Sequence, residues 1–153
     1  MNKTRFLHSA LVSKRSLLAI GLVVLFASTF VCASTPQGTF ERTLQVSGPV
    51  DLEVLTHSGD VTVRAGSSGS VQIRGKIYVG DRWFGGRREE DVKAIEQNPP
   101  IRQQGNSIHI DYVNYRNISV DYEITVPAET TVRSRSGSGD QIIEGTHGNA
   151  EGP

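Results

Sequence analysis

One cysteine occurs in the 153 residues, Cys32, and it sits in an apolar leader. Everything after it lacks a thiol, which excludes a disulfide framework and leaves three scattered histidines, His57, His109 and His147, without the cysteine partners of a zinc pattern. Basic charge is not in excess either: 16 Lys and Arg face 16 Asp and Glu. Lys3, Arg5, Lys14 and Arg15 all precede the apolar run, so residues 34–153 keep 12 basic against 16 acidic side chains, a formal charge of −4. A mildly acidic chain of this kind is a poor general partner for nucleic acid. There is no Gly-x-Ser-x-Gly nucleophile elbow. The apolar run from Leu17 through Val31 falls short of the ~20 residues that a membrane-spanning helix prefers.

Basic residues, an apolar run and then Val31-Cys32-Ala33 before Ser34 read as a secretory signal peptide over residues 1–33. An uncleaved anchor suits so short a run less well. Lipid attachment at Cys32 is disfavoured by the bulk of Phe30 and Val31. The address is therefore export, to the periplasm or the cell surface. Residues 34–40 read as a linker and 41–153 as one domain with a modest core, stabilised by packing and strand pairing.

Beyond the leader the pattern is one of strands. Val50, Leu52, Val54 and Thr56 share one parity, with Asp51 and Glu53 on the other, and Val61 and Val63 continue the period of two. Val71, Ile73, Ile77 and Val79 alternate with Gln72, Arg74 and Lys76, with Gly75 as a candidate bulge. Ile108 and Ile110 start another strand. Val120, Tyr122, Ile124 and Val126 alternate with Ser119, Asp121, Glu123 and Thr125 until Pro127 ends the ladder, and Asn114 to Asn117 is the expected hairpin loop ahead of them. One stretch differs. Acidic Glu89, Glu90 and Asp91, then Val92 and Ile95 three apart, then Pro99-Pro100, predict a short surface helix near 88–97.

Two stretches repeat one design: an alternating strand, a Ser-Gly-Asp corner and a short apolar return. The corners are Ser58-Gly59-Asp60 and Ser138-Gly139-Asp140, with their glycines 80 positions apart. Together with Tyr122-Glu-Ile124-Thr-Val126-Pro127, Thr130-Thr131-Val132, the Gly48-Pro49-Val50 start of a strand and the insertion ending Asn98-Pro99-Pro100-Ile101, they make the region from Phe40 to Gly145 resemble the β-strand-repeat domains of unknown function, grouped as putative adhesins, in bacterial envelope proteins. The resemblance implies an exported, all-β, β-solenoid-like domain with no catalytic residues to carry across. Such stacks generally need about three units to bury a continuous core, and only two corners are visible. The expectation is therefore an amino-terminal part of a longer domain, with Ile142 and Ile143 on an unprotected last strand.

The chemistry on offer is sparse. Asp60 and Asp140 beside glycine carry hard oxygens, and Gly137-Ser138-Gly139-Asp140 is similar to calcium-binding β-roll turns, but the tandem nine-residue units are missing and Asp-Gly composition is that of an ordinary turn. His57, Ser58 and Asp60 hold the residue types of a hydrolase triad yet are too nearly contiguous to align as one. Asp121 and Glu123 on one strand face read as solvated surface rather than an acid-base couple. Asn117-Ile118-Ser119 fits a glycosylation sequon by coincidence. Neither a metal nor a cofactor is expected, nor catalysis. The binding candidate is Arg82, Trp83, Phe84, Arg87 and Arg88, where aromatic rings flanked by guanidinium groups suit sugar rings, lipid headgroups or a protein partner; Trp83 capping the core beneath the helix is the plainer alternative. The expected function is that of a non-catalytic surface-binding or adhesion module whose partner is envelope polysaccharide or a surface protein. The alternatives are a periplasmic structural or stress-regulatory component meeting a membrane protein, and, further off, a polysaccharide-cleaving β-helix enzyme.

Overall fold

Alternating Val and Ile bury one face of a strand and leave the other wet, a pattern that runs through the longer of the ten strands that the computed structural model has among the described residues. The structure describes residues 35–66, 69–80 and 88–151, with 148–151 as backbone alone. The signal peptide expected over residues 1–33 lies outside the described residues. Among the described residues no helix is long and apolar enough to cross a membrane.

The strands are β1 (Gly38–Gln45), β2 (Val50–Thr56), β3 (Val61–Ala65), β4 (Ser70–Val79), β5 (Ile101–Gln104), β6 (Ser107–Ile110), β7 (Ile118–Val126), β8 (Thr130–Ser136), β9 (Gln141–Glu144) and β10 (His147–Glu151), with one helix, α1 (Arg88–Gln97), between β4 and β5. Two five-stranded sheets result, sheet A in the order β1-β4-β7-β3-β9 and sheet B in the order β10-β8-β2-β6-β5; neither closes into a barrel. Both are mixed. The uniform β-solenoid-like stack expected from the repeats gives way to antiparallel pairs β1–β4, β4–β7 and β5–β6 at one end, while the pairs around the corners are parallel.

The parallel part is built of three strand-corner-strand levels. β2 pairs with β8 and with β6 in sheet B, and β3 pairs with β9 and with β7 in sheet A. In space β6–β7 therefore forms the first level, β2–β3 the second and β8–β9 the third. The sequence shows two such units; the third is β6–β7. Residues 114–117 are consequently not a hairpin loop, because the connection from β6 to β7 passes from sheet B to sheet A.

Glycine at the corners is dictated by how closely these levels approach. Gly59 and Gly139 have φ of 117° and 120°, a backbone conformation that side chains resist. A Cβ on Gly59 would lie 2.2 Å from the Val120 carbonyl oxygen, and one on Gly139 would lie 2.4 Å from that of Gly59. Gly75 has another cause and is not a bulge, since the register runs unbroken through Phe40–Gly75 and Gly75–Tyr122. The Phe40 ring occupies the space above it, where a Cβ would come within 2.2 Å, and meets Tyr122 edge-on at 6.2 Å.

The inward faces form one apolar cluster that includes Leu52, Val54, Val61, Val63, Ile73, Ile77, Ile108, Ile110, Ile124 and Val132, with Val92 and Ile95 from α1. Each fully buried Val or Ile contributes about 1.5–3 kcal/mol before entropy. Phe40 is buried too, so β1 begins inside the stretch that the sequence assigns to a linker. Arg42 of β1 donates to the carbonyls of Glu96 and Gln97, and so satisfies the end of α1, whose own last turn has no basic residue.

Two substitutions test this packing. Gly59→Ala is expected to destabilise by about 2–4 kcal/mol, as strain and a backbone clash combine. Gly105→Ala, at φ 62° with nothing within 4 Å of the added Cβ, costs only the conformational part, about 1–2 kcal/mol. Equal urea midpoints for the two variants would show that the corners are not stacked this tightly. Tyr122 is buried and its hydroxyl has no hydrogen-bond partner. Tyr122→Phe should stabilise the fold by about 1 kcal/mol, read as a higher urea midpoint, and a lower midpoint would mean that the hydroxyl is satisfied.

Candidate functional site

The two Ser-Gly-Asp corners stack in register and bond to one another. Gly59 N–H donates to the Ser138 carbonyl at 3.1 Å and Val61 N–H to that of Asp140 at 2.9 Å. Within each corner a hydroxyl two residues ahead donates to the serine carbonyl, Thr56 to Ser58 at 3.0 Å and Ser136 to Ser138 at 2.9 Å. The aspartates form a column. Asp140 N–H donates to Asp60 Oδ1 at 2.8 Å, and Asp60 N–H donates to Asp121 Oδ1 at 2.9 Å. Asp121 thus holds in the first level the place of Asp60 in the second, and Ser119-Val120-Asp121 is the third unit with valine where the corners have glycine.

Ser58, Gly59 and Asp60 thus lie between β2 and β3, and Ser138, Gly139 and Asp140 between β8 and β9. The Asp60 carboxylate caps a neighbouring backbone, and the His57 ring stacks on Tyr112 at 4.3 Å, so the two side chains are committed to different neighbours. Among the described residues no group of three His, Cys, Asp or Glu is placed to hold a metal ion. Arg82, Trp83, Phe84 and Arg87 lie outside the described residues. Arg88 opens α1, donates to the Gly80 carbonyl at 3.0 Å and lines a cavity of about 530 Å³ with Gln37, Val79, Val92 and Glu96.

The outer face of sheet A carries an extended polar arrangement. Register places Glu41, Arg74, Glu123, Thr62 and Ile142 in one row across all five strands, and Thr43, Gln72, Thr125, Arg64 and Glu144 in the next. Arg74 pairs with Glu41 at 2.7 Å and reaches Glu123 at 4.0 Å, Lys76 also bonds Glu123, and Arg64 pairs with Glu144 at 3.0 Å. Between β1 and β4 a shallow cavity of about 270 Å³ is lined by Glu41, Arg42, Gln72, Arg74, Glu123 and Thr125. The sequence marks Arg74 and Glu123 as outward but hides their neighbour Glu41, because β1 has few apolar residues to announce it. Sheet B bears a second chain of polar contacts outside, Glu53–His109–Asp111–Arg102, beside the ion pair Asp51–Arg133.

Electrostatics separates the two acids of β7. The Lys76 ammonium, bonded to Glu123, holds that carboxyl below its ordinary range, and Glu123 raises Lys76 in return. Asp121 is raised, first by burial; the Asp60 N–H opposes that rise and the Asp60 charge adds to it. A raised carboxyl disfavours the fold once ionised, and the penalty is absent below the unfolded value near 3.8, where both states are protonated. Asp121→Asn keeps an acceptor for Asp60 N–H and removes the charge. It should therefore raise the urea midpoint at pH 7, and that advantage should shrink as pH falls through the raised folded value and be gone by about 4. An advantage that persists unchanged into acid would refute the burial cause.

No protein-family model and no curated protein match this chain. Among solved structures, it is similar to a putative adhesin from Parabacteroides merdae ATCC 43184, with a TM-score of 0.39 and 6% identity over 77% of this chain and 46% of that one. It is also similar to a putative adhesin from Bacteroides fragilis NCTC 9343, with a TM-score of 0.36 and 15% identity over 78% of this chain and 56% of that one. The chain spans about half the length of these solved structures.

Proposed function

We propose that this chain is an exported, non-catalytic binding module of the cell envelope, β-solenoid-like in its parallel part, that lays the outer face of sheet A along an extended polysaccharide. The observation that carries the proposal is the mixture of guanidinium, carboxylate, hydroxyl and amide groups that the register sets in two rows across sheet A, with a shallow groove at Glu41, Arg42 and Arg74. Sugar hydroxyls both donate and accept, so a flat field of alternating donors and acceptors matches a polymer of hydroxyls better than a small charged ligand. Strands 4.7–4.9 Å apart, roughly, repeat that field along a line, which favours an extended partner. The leader supplies the address. A second reading, a periplasmic structural or regulatory component meeting a membrane protein, draws on the strand left at the edge of sheet A, β9.

Binding of the purified protein to isolated envelope polysaccharide tests the first reading by co-sedimentation. Arg74→Ala should weaken binding about tenfold, since charge-assisted bonds contribute about 1.5–3 kcal/mol. Its stability should stay within about 0.5 kcal/mol of the parent. Unchanged binding would remove sheet A as the contact face. Protease treatment of intact cells separates the two readings, because a surface module is degraded and a periplasmic one is spared.

A further inference from the structure

We propose that the ring of His57, at the corner between β2 and β3, is a stacking platform for one pyranose ring of a glycan, which sits in the place that Gly137 leaves bare. The site rests on the reading of the partner as a polysaccharide and adds to the sheet A face a second contact of different chemistry.

The levels set side chains beside one another at the corners. Tyr112 follows β6 in the first level, and its ring meets that of His57 in the second with centroids 4.3 Å apart and planes 21° from parallel. This stack uses only the side of the imidazole that faces the first level. In the third level the residue beside His57 is Gly137, because Thr56 pairs in register with Ser136 and Gly137 N–H donates to the Thr56 carbonyl at 3.1 Å. Glycine has no ring to continue the stack. Nor can a larger residue stand there, since a Cβ would lie 2.7 Å from the His57 carbonyl oxygen. The same approach of backbone to backbone that sets the corners thus keeps the second side of the imidazole clear of any side chain from position 137, and His57 is exposed. The vacancy belongs to Gly137 itself, which has β8 before it and β9 after it.

The chemistry of the place selects the occupant. The face of an aromatic ring carries partial negative charge, and the C–H groups on one face of a pyranose carry the complementary positive charge. Hydroxyls radiate from the edge of such a sugar, both donating and accepting. Groups to meet them stand close in the chain: Arg135 two residues before Gly137, then Ser138 and Asp140 after it, all exposed. Asp140 enters its corner through the backbone, its N–H donating to Asp60 Oδ1 and its carbonyl accepting from Val61 N–H. An aromatic side chain of a protein partner would use the same ring and leave that polar rim without a role.

The probe is the di- and trisaccharides released by partial acid hydrolysis of isolated envelope polysaccharide, titrated into the purified protein while the imidazole Cε1–H signals are followed by NMR at constant pH. The His57 signal is expected to move saturably and those of His109 and His147 to stay. By calorimetry His57→Ala should weaken binding about fivefold, and His57→Phe, which keeps a flat ring, should restore it. Arg74→Ala, on the sheet A face, should leave the movement of the His57 signal unchanged. A His57 signal unmoved at about 20 mM sugar would overturn the site, as would binding indifferent to His57→Ala. If Arg74→Ala still lowered co-sedimentation with the whole polymer, the sheet A reading would stand without the corner site; if it did not, both would fall. Movement of the His57 signal by N-acetyltryptophanamide at lower concentration than by the sugars would also overturn the proposal and assign the ring to an aromatic protein partner.

Discussion

Backbone set directly on backbone at the glycine corners is the constraint from which the rest of the structure follows. Because Gly59 lies against the Val120 carbonyl and Gly139 against that of Gly59, the three parallel levels can meet in only one register. A slip by one residue would turn every Val and Ile of a strand outward. The aspartate column fixes the same register by hydrogen bonds, and it accepts a cost in doing so, since Asp121 is partly buried next to the Asp60 charge. The corners thus set the position of each strand, and the strands in turn set which polar side chains stand side by side on the outer faces.

Those faces are ordered but contribute little to stability. Ion pairs between half-exposed side chains are worth about 0–1 kcal/mol each, so Arg74 with Glu41 or Arg64 with Glu144 does not hold the sheets together. Their effect is on position. Arg74 stands between two carboxylates from neighbouring strands, and Lys76 shares one of them, so long side chains that would otherwise sweep through solvent stay in place along the rows. The same charges discourage pairing with stray strands at the antiparallel end.

The alternation in β2, β4, β7 and β8 was legible because each of these strands buries one face and wets the other, and α1 was legible from its acidic first turn and the following prolines. What the sequence concealed depends on neighbours remote in the chain. Val120 hides the third unit, since only its Asp121 carries the corner chemistry, through a bond to a residue 61 positions away. Gly75 looks like a bulge until the Phe40 ring is placed over it. β1 and β5 offer one or two apolar residues among polar ones, too few for a period to show, and with β1 went the Glu41 side of the sheet A groove. The charged residues Arg74 and Glu123 could be seen to point outward, but their neighbours could not be known before the strand order was.

The order of the levels in space is not their order along the chain: the segment made first, β2–β3, ends up in the middle, between β6–β7 and β8–β9. Both of its hydrogen-bonding edges therefore wait for partners synthesised later, with Asp60 meeting residues 61 and 80 positions downstream. High contact order of this kind makes folding slow and leaves unpaired β edges open to aggregation in the interval. Until residue 144 has been made, the central level stands bare along the whole side that β8 and β9 later cover.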